Sequence, residues 1–211
     1  MIKTTIKISL VLVVIFIAYK FFKDDSNRPY ESSFLYKLSS GEKNQLQTGD
    51  IILRRGYGFV STMISKMMNE DYDVTHLGVV IKQNDNLKIA HALSSSVSNQ
   101  DGLRLQAIDS FVHNSHDSTI LVTRLKNIDV LKQDKIVKQI EYYYKKQLPF
   151  DHSFNYKDTT EHYCSELIWR IYEHNLKILN VADSLTDQQK YNTLKTFYDP
   201  NYFDIIINHQ K

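Results

Sequence analysis

The chain reads as an α+β domain with a central antiparallel sheet and flanking helices, preceded by an N-terminal hydrophobic helix. Three observations carry this reading. Short alternating or wholly apolar stretches bounded by turn residues cluster between residues 48 and 125, the pattern of β-strands. Around them, and above all after residue 129, apolar side chains recur at helical spacing, as on buried helix faces. The strands are not each followed by a helix, which argues against a regular βαβ alternation and its parallel sheet.

Composition sets the outer bounds. At 211 residues with 42% hydrophobic and 24% charged side chains, the chain is globular and holds one domain. Lys and Arg number 26 against 24 Asp and Glu, so no basic excess exists to neutralise the phosphates of a nucleic acid. A single cysteine, Cys164, excludes an internal disulfide.

The first 23 residues differ from the rest. Lys3 and Lys7 precede an apolar run from Ile8 to Tyr19, and Lys20, Phe21 and Phe22 follow. The run is shorter than the roughly 20 residues that span a bilayer comfortably, but lysines snorkelling at both ends extend it. No small-residue cleavage site follows it, so a membrane anchor over 1–23 leads, ahead of a cleaved signal and of a short buried helix. Either export reading places the domain on the extracytoplasmic side, membrane-anchored or secreted. Residues 24–45, with Pro29 and a Ser-rich patch, read as a linker or loosely packed lead-in to a domain over 46–211.

Within that domain, "TGDIILRR" is a turn entering an apolar strand, and "FVSTMISKMMN" sets Phe59, Met63, Ile64, Met67 and Met68 at helical spacing. Such a stripe is expected in the core, with a share in an adaptable binding groove as the alternative. "VTHLGVVIK" and "LKIAHAL" form two strands around a turn at residues 83–86. "GLRLQAIDSFV" is a strand and a helical turn, and "STILVTRL" a further strand. "VLKQDKIVKQIEYYYKKQL" is an amphipathic helix stopped by Pro149. From Cys164 onward, Leu167, Ile168, Ile171 and Tyr172 mark one face of a second helix. The tail "TFYDPNYFDIIIN" ends in a strand.

Cys164 thus falls at a helix N-terminus, where unpaired amides and the dipole favour a thiolate and can stabilise an oxyanion. The bland alternative is a small buried residue, since free cysteines are often buried. A nucleophile needs a base. Of the eight histidines, His113, His116, His152, His174 and His209 stand in polar surroundings and read as solvated, and His162 as incidental in an incoming loop. His76 and His91 lie inside apolar strands. Alternation groups Val74, His76, Gly78 and Val80 on one face, and Ile89, His91 and Leu93 on one face of the next strand. An antiparallel hairpin brings the two rings together within a residue or two of register.

"TGDIILRR", "THLGVVI", "IAHAL" and "YCSELIWRIY" together resemble the permuted papain-like cysteine hydrolases of the YiiX/YaeF type, in the NlpC/P60 superfamily. The resemblance covers about Thr48 to Tyr172, and the "YDPNYF" tail is similar to the family's closing segment. In the non-permuted members the cysteine helix comes first. Here His76 precedes Cys164 by 88 positions, the permuted order. The resemblance implies a circularly permuted papain-like fold with Cys164 as nucleophile, His76 as general base and His91 as the third, polar member. Relatives often carry Glu where His91 stands, so a neutral ring here replaces a carboxylate. Glu166 matches the motif as well, but its place in a first turn suits the dipole and it is not taken as catalytic.

The implied activity is hydrolysis of an amide (peptide or N-acyl) bond through a thioester, with no cofactor. The substrate is a small molecule, a cell-wall peptide or a lipid-linked acyl group. The alternative is a zinc-binding or inactive module in which His76, His91 and Cys164 hold the metal, although no close-spaced ligand pair joins them. A His91 that must stay neutral predicts an acid-side loss of activity near the unperturbed histidine pKa of about 6.5.

Overall fold

The structure is a computed structural model and describes residues 36–84, 86–181, 190–191 and 193–210. The expected N-terminal helix over residues 1–23 lies outside the described residues, as does most of the lead-in. Among the described residues, no helix is long and apolar enough to cross a membrane.

A six-stranded sheet in the order β4-β3-β2-β1-β5-β6 organises the domain, and every neighbouring pair in it is antiparallel. The strands are β1 (Ile51–Arg54), β2 (His76–Gln83), β3 (Asn86–Leu93), β4 (Gly102–Ala107), β5 (Leu121–Leu125) and β6 (Phe203–Asn208). β1, in the middle, is buried along its whole length, which is why "IILR" runs apolar rather than alternating up to its arginine. Elsewhere the period of two divides the core. Leu77, Val79, Ile81, Ala90 and Ala92 pack against one layer of helices, and Val80 and Ile89 against the other. Val74, expected on the face of His76, precedes the strand and packs with the Leu77 cluster instead.

The helices are α1 (Ser40–Gln45), α2 (Phe59–Met68), α3 (Ile108–His113), α4 (Val130–Lys146) and α5 (Cys164–Trp169). α4 begins where the Asp129 side chain accepts the Lys132 amide. It ends at Gln147, which takes the left-handed conformation (φ 53°) two residues before Pro149. Its buried residues, Ile136, Ile140 and Tyr143, are the amphipathic stripe. α5 widens into a π-helical segment, Arg170–Asn175, and keeps its expected face, with Leu167, Ile168, Ile171 and Tyr172 all buried.

Two expectations change. The lead-in is folded by its end: Ser39 and Glu42 cap α1 reciprocally, and Leu38 and Leu46 are buried in the second core layer. The stripe on α2 reaches the core only at Met68, which packs on the Leu77 cluster. Phe59, Met63 and Met67 are 43, 40 and 76% exposed, and Ser61 is the buried residue of that helix. The helix lies at the rim of the cavity described next, where burying one small polar face leaves the apolar side in the open.

Candidate active site

Cys164 is the first residue of α5, and α5 packs on β2 and β3. The β2–β3 ladder stops at Val79↔Ala90, although β2 continues to His76 beside β1 and β3 continues to Leu93 beside β4. The strands part there, and the Leu77 amide, freed from the ladder, acts on the Cys164 thiol. His76 begins β2 on the other side of this parting. Both residues line a cavity of about 910 Å³ together with Arg54, Ser94, Arg104 and Gln106.

The two strand histidines meet. His76 Nε2 and His91 Nδ1 are 2.8 Å apart in a hydrogen bond, and the rings stand edge to face with centroids at 5.1 Å. Gly78 makes the meeting possible, because a Cβ there would lie 3.0 Å from the His91 Cβ and 2.5 Å from Ile89. Phe111 of α3 closes the pair from outside, 5.9 Å from His76 and 5.2 Å from His91. Nε2 of His76 is committed to His91, which leaves Nδ1 as its other ring nitrogen. The hydrogen bonds of the resting structure do not include one between Cys164 and His76.

Burial governs the protonation states. His91, 1% exposed, has its pKa pushed down to about 3, first by burial and then by the Arg54 and Arg104 charges. His76 falls well below the ordinary histidine value for the same first cause, with Arg54 and His91 adding to it. The expectation of an acid limb near 6.5 is therefore corrected downward. The helix terminus does not win at Cys164 either. Burial pushes the thiol up to about 11, against the pull of the Ser165, Leu77 and Cys164 amides and of Arg54. In the resting structure a neutral thiol and a neutral imidazole thus line the same cavity.

In the unfolded chain His91 binds a proton below about 6.5, whereas in the fold it resists protonation down to about 3. The unfolded state holds more protons in that window. Stability is therefore full above 6.5 and falls as the pH drops toward 3, by an amount on the order of 4 kcal/mol from this ring. Urea titrations from pH 7 to 4 should show the midpoint falling with acid, and His91→Phe should flatten the slope.

Other residues complete the setting. Arg54 pairs in register with His76, and Arg104 with His91, so the alternation that presents the imidazoles also presents two guanidiniums. Arg54 donates to the Phe111 carbonyl at 2.8 Å and lies 4.3 Å from its ring centroid. The arginines that close "IILRR" and interrupt "GLRLQ" were the available sign of these neighbours. Buried Asp151 accepts the Ser153 and Asn155 amides and shapes the loop that brings Phe150, His152 and Phe154 to the cavity. Gly102 (φ 84°) lets β4 start against that same stretch, since a Cβ would lie 2.2 Å from the Leu148 carbonyl oxygen.

Glu166 is fully buried and pairs with Arg170 at 3.1 Å and with His162 at 3.4 Å, so it anchors α5. His162 is correspondingly buried at 4% exposure, not incidental in an open loop. His209, expected to be solvated, binds Glu42 at 2.6 Å and the Tyr36 hydroxyl at 2.8 Å. His174 meets the Tyr191 hydroxyl. Among the described residues, no group of three or more His, Cys, Asp or Glu is arranged to hold a metal ion.

A sheet parted over a helix-borne cysteine, with a histidine on the adjoining strand, defines a papain-like hydrolase class. The chain belongs to the family of permuted papain-like amidases of the YaeF/YiiX type, peptidase family C92, whose family model matches residues 45–201. Among solved structures it is similar to the protein YiiX of Escherichia coli O157:H7, described as a metalloprotein. The TM-score is 0.55 and the identity 22%, over 76% of this chain and 89% of that one. No curated protein matches the chain.

Proposed function

We propose that the chain hydrolyses an amide bond, peptide or N-acyl, through a thioester on Cys164. The observation that carries this reading is the 2.8 Å His76–His91 bond in the wall of the cavity that also holds the sole cysteine. As substrate binds, the thiol proton passes to His76 Nδ1 while sulfur attacks the carbonyl carbon. The Cys164 and Ser165 amides, which act on the sulfur at rest, would take the oxyanion. His76 returns the proton to the departing amine. Water, deprotonated by the same ring, then opens the thioester and releases the acid, and the ring hands that proton to the departing sulfur, restoring the thiol. His91 holds the His76 ring in place throughout. The substrate is a small molecule, a cell-wall peptide or a lipid-linked acyl group, and residues 1–23 hold the domain at the extracytoplasmic membrane face.

Turnover of N-acyl amino acids and of cell-wall peptides by wild type and Cys164→Ala tests the activity. Loss of all turnover in the variant is expected, and equal rates would contradict it. His91→Ala should lose most of the rate, while His91→Glu, which restores an acceptor, should keep it. For the anchor, the chain should fractionate with membranes and retain its own N-terminus. A mature terminus at or beyond Asp24 would make residues 1–23 a signal peptide.

The neighbour's description as a metalloprotein motivates a second reading, zinc on His76, His91 and Cys164. Two nitrogens on one tetrahedral zinc stand about 3.3 Å apart. Here they are 2.8 Å apart and bonded to each other, so the rings must separate to take the ion. Near-stoichiometric zinc in purified protein, lost on Cys164→Ser, would favour that reading.

A further inference from the structure

We propose that Gln106 is a positioning residue whose side-chain carbonyl fixes the tautomer of His91, and through it makes His76 a base toward Cys164. The role in catalysis rests on the hydrolase reading above, whereas the tautomers are a property of the fold itself.

For His76 to accept from the thiol, its Nδ1 must be bare, so its own proton sits on Nε2. That Nε2 is bonded to His91 Nδ1, which must then accept. His91 therefore carries its proton on Nε2. This nitrogen is buried and lacks a hydrogen bond in the structure, and so does the side-chain oxygen of Gln106. Buried polar atoms rarely stay unpaired, and although Arg104 Nε and Nη2 are orphaned donors as well, the group on which Gln106 acts is His91.

The topology supports the pairing. β4 runs beside β3 with Arg104 opposite His91 and Gln106 opposite Ile89, so Gln106 lies on the same sheet face as the ring, one step along. Gln106 also lies close enough to His91 to raise its pKa against the burial that lowers it. The other charged or polar groups facing His91 are Arg54 from β1, Arg104 from β4 and His76 from β2, and α3 presents the Phe111 ring. No carboxylate is among them. The guanidiniums only donate, so neither can receive the Nε2 proton.

A primary amide can point either way, which gives the arrangement its consequence. With the carbonyl toward His91, both rings carry Nε2–H and His76 is competent. With the NH2 group toward His91, every proton in the chain reverses, and His76 presents Nδ1–H to the thiol. A carboxylate in place of Gln106 can only accept.

The test reads tautomers and reactivity separately. Long-range ¹H–¹⁵N spectra of ¹⁵N-histidine protein should show Nε2–H at both His76 and His91 in wild type. Gln106→Met should bring in the Nδ1–H form. It should also slow iodoacetamide labelling of Cys164 by at least about tenfold, up to the roughly 10⁴-fold that a wrong tautomer costs a triad. Gln106→Glu should keep Nε2–H and the neutral-pH labelling rate, and should move the acid limb upward, because a carboxylate raises the His91 pKa. Unchanged tautomers and rates in Gln106→Met would overturn the proposal. So would Nδ1–H at His91 in wild type, a result that needs no variant to fold. If Cys164 resists labelling in every protein while the tautomers behave as described, the hydrolase reading fails and the role of Gln106 in setting the ring stands.

Discussion

Replacing His76 with Ala is expected to slow iodoacetamide labelling of Cys164 at neutral pH by about 10²-fold or more, the size of a lost general base. The effect is large because the thiol cannot ionise unaided. Burial holds its pKa up at about 11, so only a minute fraction is thiolate at pH 7 without a proton acceptor beside it. Since the chain has one cysteine, all labelling reports this site. The fold should tolerate the change, because His76 opens onto the cavity and removing it buries no new charge. A histidine that served only as packing would behave in the opposite way, with a lower melting temperature and unchanged labelling of the folded protein.

The second large effect concerns stability rather than chemistry. Glu166→Ala should destabilise the domain by about 3–5 kcal/mol, the cost of leaving one partner of a buried pair alone. Glu166 is fully buried against Arg170 and His162, and its other oxygen reaches back to the Tyr163 amide at 3.4 Å. Arg170 in turn donates to the Tyr156 and Asp158 carbonyls, so the carboxylate also supports the loop ahead of Cys164. Glu166→Gln keeps an acceptor and should cost less. A urea midpoint for Glu166→Ala indistinguishable from wild type would show the pair to be unimportant.

Much of this arrangement was legible in the sequence because it follows from short-range periodicity. Two strands around a tight turn put His76 and His91 on a common face, and the structure joins their rings. The helix face of Leu167, Ile168, Ile171 and Tyr172 was equally clear, since a 3.6-residue stripe depends on no distant partner. What local pattern does not carry is the balance between neighbours. The helix N-terminus at Cys164 suggested a lowered pKa, but burial depends on what packs around the thiol and it outweighs the amides. The same holds for the histidines, whose pKa values are lowered first by burial, then by Arg54, 22 positions before His76, and at His91 also by Arg104, 13 positions after it. The α2 stripe has core periodicity, yet Phe59, Met63 and Met67 lie exposed and only Met68 reaches the core. The α1 cap, by contrast, was written in Ser39 and Glu42 at capping-box spacing and could have been read.

The central claim is that Cys164 carries the acyl group in a thioester. Its most direct test is rapid mixing with a p-nitrophenyl acyl ester, followed by mass measurement of the intact protein. The account predicts a burst of one nitrophenolate per chain, one acyl group on Cys164 that clears as turnover proceeds, and neither event in Cys164→Ala. Slow release without a burst, at a rate that Cys164→Ala leaves unchanged, would contradict it.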